Sequence, residues 1–193
     1  LLLIVPAALQ PPVNAEAGEI TVGAVQGNAN AGLFANEVPG TILNNHLQAT
    51  KLLKGKSKFK KLDVVVWPEN ASDLSPFSNP SANKAIRKLV DEEMNAPLIF
   101  GTITQRGEEL FNSSILWQPA KGAIDYYDKK RPVPFAEYVP DRDFWYQLAP
   151  DLIGLVSRGY SFGERDGIFE IAQGKLGTLI CFEIAVDDIG RDL

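Results

Sequence analysis

The sequence is poor in the residues on which much hydrolytic and metal chemistry relies. Its 193 residues include one cysteine, Cys181, and one histidine, His46. A single cysteine excludes an internal disulfide and any multi-cysteine metal site. A single histidine removes most zinc chemistry and the usual histidine-based hydrolases. Basic side chains are outnumbered, 19 against 24 acidic, so the molecule as a whole is not built to hold nucleic acid. Any catalysis must therefore use carboxylates and amines as its proton carriers. A long apolar run is missing too. Residues 1–9 (LLLIVPAAL) fall short of the about 20 needed to cross a bilayer, and no basic stretch marks them as a signal peptide. Residues 1–12 read either as the end of a transmembrane helix leaving through Gln10-Pro11-Pro12 or as a frayed hydrophobic end.

What is present suffices for one buried core, with 45% of the residues hydrophobic, and residues 20–193 read as one domain. The apolar, β-branched run 20–27 (ITVGAVQG) predicts a first strand. A helix is expected over 39–54, with Ile42, Leu43, Leu47, Leu52 and Leu53 on its inner face. The lysine-rich stretch 54–61 reads as a solvated connector or as a contact for anionic headgroups. Strand 63–67 (DVVVW), helix 79–94 and strand 97–104 complete a β-α-β-α-β rhythm, which argues for an α/β sheet. Strands 111–117 and 123–128 flank a turn-rich connection. The stretch 129–163 holds four prolines and many aromatics and reads as a functional loop. A last hairpin is expected from 167–172 and 175–181, its second strand carrying the cysteine.

Three strand ends carry the chemistry. Glu69 follows Pro68, which has no N–H and stops the ladder after Trp67, so the carboxylate falls at the carboxyl edge of the sheet, where open α/β folds build sites. Its alternative is a solvated loop residue. Lys129 lies in Lys129-Lys130-Arg131, readable as an exposed basic cluster. Cys181 precedes a plausible helix start at 185–188, and helix N-termini favour the thiolate; on its own it also reads as inert core.

In their contexts these segments resemble the carbon–nitrogen hydrolase (nitrilase) superfamily, and within it the apolipoprotein N-acyltransferases. The matching pieces are Val66-Trp67-Pro68-Glu69-Asn70, Tyr127-Asp128-Lys129, Val133-Pro134-Phe135-Ala136-Glu137-Tyr138-Val139-Pro140 and Leu179-Ile180-Cys181-Phe182-Glu183. The third is the most discriminating. Ala136 stands where glycine is frequent and Phe182 where tyrosine is frequent. The resemblance implies a nitrilase-like α-β-β-α sandwich, truncated at its C-terminus because the family's later strands and closing helices have no counterpart before Leu193.

It further implies a Glu-Lys-Cys triad. Glu69 is the general base, Lys129 (picked over Lys130 by its spacing to Glu137) faces the oxyanion, and Cys181 is the nucleophile. Glu137 and Glu183 support them, and the Phe182 N–H is a second oxyanion donor. Trp67, Phe135, Tyr138 and Trp145 are expected at the substrate, and no cofactor or metal is called for. The implied reaction moves an acyl chain from a phospholipid, through a cysteine thioester, to the N-terminal amine of a diacylglyceryl-cysteine lipoprotein. The implied place is the bacterial inner membrane, with the catalytic domain extracytoplasmic. The apolar arm 138–162 reads as a lid dipping toward lipid or as an ordinary core helix. Alternatives are a soluble amidase using the same residues and an inactive fragment or interaction module.

Overall fold

The computed structural model describes residues 18–29, 38–53, 61–156 and 159–193. Residues 1–12 and most of the lysine-rich connector lie outside them. Five strands form one mixed sheet in sequence order: β1 (Val22–Ala24), β2 (Val64–Val66), β3 (Leu98–Arg106), β4 (Glu109–Gln118) and β5 (Gly122–Asp128). The first three run parallel, and β4 and β5 return antiparallel through tight turns. Helix α1 (Thr41–Lys51) joins β1 to β2, and α2 (Pro80–Arg87), prolonged by a π-helical stretch Lys88–Met94, joins β2 to β3. Two crossovers of the same hand in the same direction put both helices on one face of the sheet. There Leu43, Ile86, Leu89 and Val90 meet Val65, Phe100, Ile115 and Trp117 in one core cluster.

Local chemistry explains these boundaries. Asn79 caps α2 by accepting the Ala82 N–H at 3.0 Å, and Pro80 takes the first helical position. Among the described residues no neighbouring side chain caps α1. Instead Asp73, 30 residues from Leu43, accepts the N–H groups of Gly40 at 2.6 Å and Leu43 at 2.9 Å. Strand β1 is shorter than its apolar run predicts, because the chain passes under α1. A Cβ on Gly27 would lie 2.5 Å from the His46 nitrogen.

The opposite face of the sheet is covered by the hairpin β6 (Ile168–Ile171) and β7 (Gly174–Gly177). Phe169, Ile171 and Ile180 close there on Val64, Ile99, Leu116 and Tyr127. The expectation that the last strand carries the cysteine is not met. Strand β7 stops at Gly177, and Thr178 makes a last backbone bond to Gly167 at 2.6 Å. The Ile180 N–H then turns to the Glu183 carboxylate at 2.9 Å, and Cys181 takes a left-handed φ of 56° that no strand accommodates. Cys181–Ala185 form a 3₁₀ turn, and α5 (Asp187–Arg191) follows.

The stretch read as irregular contains two short helices, α3 (Arg142–Leu148) and α4 (Pro150–Leu155). They are not core helices. Phe144, Tyr146, Leu148, Leu152 and Leu155 are exposed, and only Ile153 of the two helices is buried. Among the described residues no helix is long and apolar enough to cross a membrane.

Candidate active site

Glu69 sits in a turn laid directly on β3. The Trp67 N–H still bonds Ile99 at 2.8 Å, after which Gly101 donates to the Pro68 carbonyl at 3.2 Å and accepts from Ser72 at 3.0 Å. A Cβ on Gly101 would fall 2.6 Å from the Asn70 nitrogen and 2.7 Å from the Glu69 Cα. Only glycine permits that approach. Asn70, at φ 52°, completes the turn.

Lys129 follows β5 and is 1% exposed. Its main chain is held on both sides, its N–H by the Asn112 carbonyl and its carbonyl by the Gly163 N–H, each at 2.9 Å. Its ammonium lies 2.7 Å from Glu137 Oε2 and 3.6 Å from Glu69 Oε1. Burial by itself pushes this ammonium down. The hydrogen bond to Glu137 and the charges of Glu69, Glu137 and Cys181 outweigh burial and leave the group above the ordinary lysine value. Lys129 is thus a fixed cation, and Cys181 is among the groups that raise it.

Glu137 comes from a compact turn. Within Val133-Pro134-Phe135-Ala136-Glu137-Tyr138, the Phe135 N–H donates to Tyr138 at 2.7 Å and the Glu137 N–H to Val133 at 2.8 Å. The residue with left-handed φ is Phe135, at 62°, and Ala136 does not share it, so alanine fits there without strain. Both oxygens of Glu137 are occupied. Asn112 Nδ2 reaches Oε1 at 2.9 Å, and Lys129 and the Val133 N–H reach Oε2, each at 2.7 Å. Burial raises this carboxyl, but Lys129, Val133 and Asn112 hold it below the ordinary carboxylate range. Glu69 takes its Asn112 bond, at 2.6 Å, on Oε1. Among the described residues no hydrogen bond reaches its Oε2. Tyr160 stands close by and stays a phenol, pushed up by burial and then by Glu137 and Glu69.

Glu183 does not face this cluster. It is fully buried, and its Oε1 accepts from the Tyr127 hydroxyl at 2.9 Å, Lys130 N–H at 2.6 Å and Arg131 N–H at 3.1 Å, while Oε2 takes the Ile180 N–H. One carboxylate therefore ties the Cys181 turn to the Lys129 loop. Burial, then the Glu183 hydrogen bond and charge, push the Tyr127 phenol up, so it remains a donor.

Cys181 and Phe182 are exposed at the start of their turn. Of the aromatic side chains expected at the substrate, Phe135, Tyr138 and Trp145 lie in one open arm. Phe135 packs edge-on against Trp145 at 5.4 Å, and Tyr138 against Phe162 at 4.9 Å. Trp67 is a correction. At 2% exposure it belongs to the core on the helix face, with its indole N–H donating to Thr50 Oγ1 at 2.9 Å and its ring against His46. An apolar strand residue one step from the sheet edge can face either side, and here the pleat turned it to the helices.

Asn112 and Gly101 are the site residues that the sequence reading did not single out. Gly101 left a weak signal, a glycine inside a β-branched strand; Asn112, beside Ser113 and Ser114 in β4, left none.

Residues 21–193 match the family described as carbon-nitrogen hydrolase. The chain is similar to the apolipoprotein N-acyltransferase of Mycolicibacterium smegmatis, 31% identical over 185 residues that cover 90% of this chain and 30% of that protein. It is 34% identical to the Helicobacter pylori protein of the same name over 151 residues, covering 78% of this chain and 33% of that one. The chain thus spans about a third of the length of these curated relatives. Among solved structures, an amidase from Nesterenkonia sp. superposes with a TM-score of 0.58 at 12% identity, over 89% of this chain and 59% of its own. A carbon–nitrogen hydrolase from Helicobacter pylori G27 gives 0.57 at 17%, over 90% and 56%. At those identities the likeness is one of fold. A family match running from the first strand to the last helix settles the assignment: the chain belongs to the carbon–nitrogen hydrolase family.

Proposed function

We propose that this chain carries the reaction centre of an apolipoprotein N-acyltransferase, with Cys181 as nucleophile, Glu69 as general base and Lys129 as the cation at the oxyanion. The observation that carries this reading is the buried Lys129 ammonium, held between two carboxylates and within electrostatic reach of the only thiol. The relatives named as acyltransferases support the choice of acyl transfer over small-amide hydrolysis. Glu69 is chosen over Glu137 because it keeps an oxygen free of donors, whereas Glu137 is saturated.

The course then follows. The Cys181 thiol gives its proton to Glu69 as its sulfur attacks the carbonyl carbon of a phospholipid acyl ester. Negative charge gathers on the carbonyl oxygen, facing Lys129 and the Phe182 N–H; a preplaced donor of this kind contributes about 3 kcal/mol. The ester C–O bond breaks, and Glu69 returns the proton to the departing lysophospholipid oxygen, leaving a thioester on Cys181. The free α-amine of a diacylglyceryl-cysteine lipoprotein attacks that thioester. An N–C bond forms, the S–C bond breaks, and the amine proton passes through Glu69 back to sulfur. Glu137 keeps Lys129 in register, and Glu183 holds the cysteine turn against it.

The exposed arm from Phe135 through Leu155 suits a lid that meets lipid at a bacterial inner membrane from its extracytoplasmic side. Membranes carrying the full-length gene product, given acyl-labelled phospholipid, should accumulate label on protein that hydroxylamine releases. Thioester label persisting after Cys181→Ala refutes the nucleophile assignment. Label released to water with no transfer to a lipoprotein amine points to the amidase reading instead.

A further inference from the structure

Two carboxylates approach one lysine, yet only one closes on it. Glu137 lies 2.7 Å from the Lys129 nitrogen and Glu69 3.6 Å, the latter beyond a normal hydrogen bond. The difference traces to Asn112. This residue sits inside β4, paired to Ile103 of β3, and it accepts the Lys129 N–H on its main chain. Its side chain is 1% exposed and has nowhere to relax. The two hydrogens of its single Nδ2 go one to each carboxylate, at 2.6 Å to Glu69 and 2.9 Å to Glu137. Among the described residues its Oδ1 is buried with no partner. Reversing the amide would set that oxygen against two carboxylate oxygens, so the orientation is dictated by the carboxylates even though an acceptor goes unsatisfied.

We infer that Asn112 is the positioning residue that gives the two carboxylates different roles: it holds Glu137 onto Lys129 and holds Glu69 off it. The inference rests on the reading of Glu69 as general base. An aspartate here would repel both neighbours, and an aliphatic residue would let Glu69 swing onto the ammonium and lose the oxygen reserved for the thiol proton. The charged and titratable groups facing Glu69 come from every surrounding element. They are Lys129 and Glu137 from the loops after β5 and Tyr160 from the returning arm, with Cys181 acting on Lys129 from its own turn.

The experiment uses the full-length protein and follows the rate of Cys181 alkylation by iodoacetamide against pH, which requires no lipid. Wild type is expected to lose reactivity on the acid side, where a general base no longer accepts the thiol proton. In Asn112→Ala, Glu69 closes on the ammonium, whose charge outweighs the lost neutral donor. The acid-side inflection then moves down by about one pH unit, and the plateau rate falls on the order of ten-fold. In Asn112→Asp, the added charge moves the inflection up. Opposite shifts are the signature, because a purely structural role lowers the unfolding midpoint and moves neither inflection. If Asn112→Asp does not fold, the downward shift in Asn112→Ala carries the test. An Asn112→Ala inflection that stays put or rises, with Glu69→Gln still abolishing it, overturns the role of Asn112 and leaves Glu69 in place. A Glu69→Gln profile identical to wild type overturns the base assignment and this inference with it.

Discussion

Gly101 shows how narrow the tolerances are at the scale of a residue. Its missing Cβ is what lets the Glu69 turn touch β3. Gly101→Ala should therefore push the carboxylate away and lower acyl transfer on the order of 100-fold, since misplacement of about 1 Å costs that much. Stability should fall by about 1–3 kcal/mol from overpacking. Transfer rate and denaturant midpoint, measured together, separate the two effects. The Lys129–Glu137 clamp sets a pH window. Glu137 is depressed on folding, so its contribution is complete above the ordinary value of 4.5 and is lost as pH falls through the lower folded value. Lys129 is raised, so its contribution is complete below 10.5 and is lost as pH climbs through the higher folded value. Unfolding free energy measured across pH should lose its acid limb in Glu137→Gln and its alkaline limb in Lys129→Met. Glu69, Lys129 and Cys181 were singled out because charge or thiol stood where a strand was expected to stop, and Glu137 came only with the family resemblance. Asn112 and Gly101 were not legible, because their importance lies in what crosses them from other strands, and sequence order carries no such information.

At the scale of elements, two carboxylates work far from the reaction. Asp73 binds the open amides of α1 and thereby anchors the loop that begins with Glu69. Asp73→Ala should cost about 1 kcal/mol of stability, as loss of a helix cap does, read from the thermal midpoint. Glu183 joins the Cys181 turn to the lysine loop through four donors. Glu183→Gln turns one acceptor into a donor facing N–H groups and should cost about 2 kcal/mol. Hydrogen exchange offers a sharper readout: the amides of Ile180, Lys130 and Arg131 should lose protection together, although 49 residues separate Ile180 from Arg131. The β-α-β-α-β order and the β4–β5 and β6–β7 hairpins were legible in periodicity and turn residues; the β3–β4 pairing was not. The cysteine strand was misread because Leu179-Ile180-Cys181 is as apolar as a strand. Its departure from the ladder is imposed by Glu183, a partner that periodicity does not register. The arm 138–162 was readable as a core helix, but in α3 and α4 every apolar residue except Ile153 stays outside the core.

At the scale of the whole molecule, the sheet separates two tasks. Helices α1 and α2 build the larger core on one face, and the opposite face brings Glu69, Asn112 and Lys129 toward the hairpin and the Cys181 turn. The arm stands outside both cores. Glutamate at Leu148, Leu152 or Leu155, all exposed, should change folding stability by no more than about 0.5 kcal/mol. The same changes should reduce acyl uptake from phospholipid vesicles, and undiminished uptake would remove the arm from lipid contact.

The arm leaves and rejoins the body at nearly one point. The Tyr160 N–H donates to the Glu137 carbonyl at 2.8 Å, and the Gly163 N–H to that of Lys129 at 2.9 Å. A segment clasped so tightly at its base tolerates changes of length and composition that leave the body beneath it undisturbed.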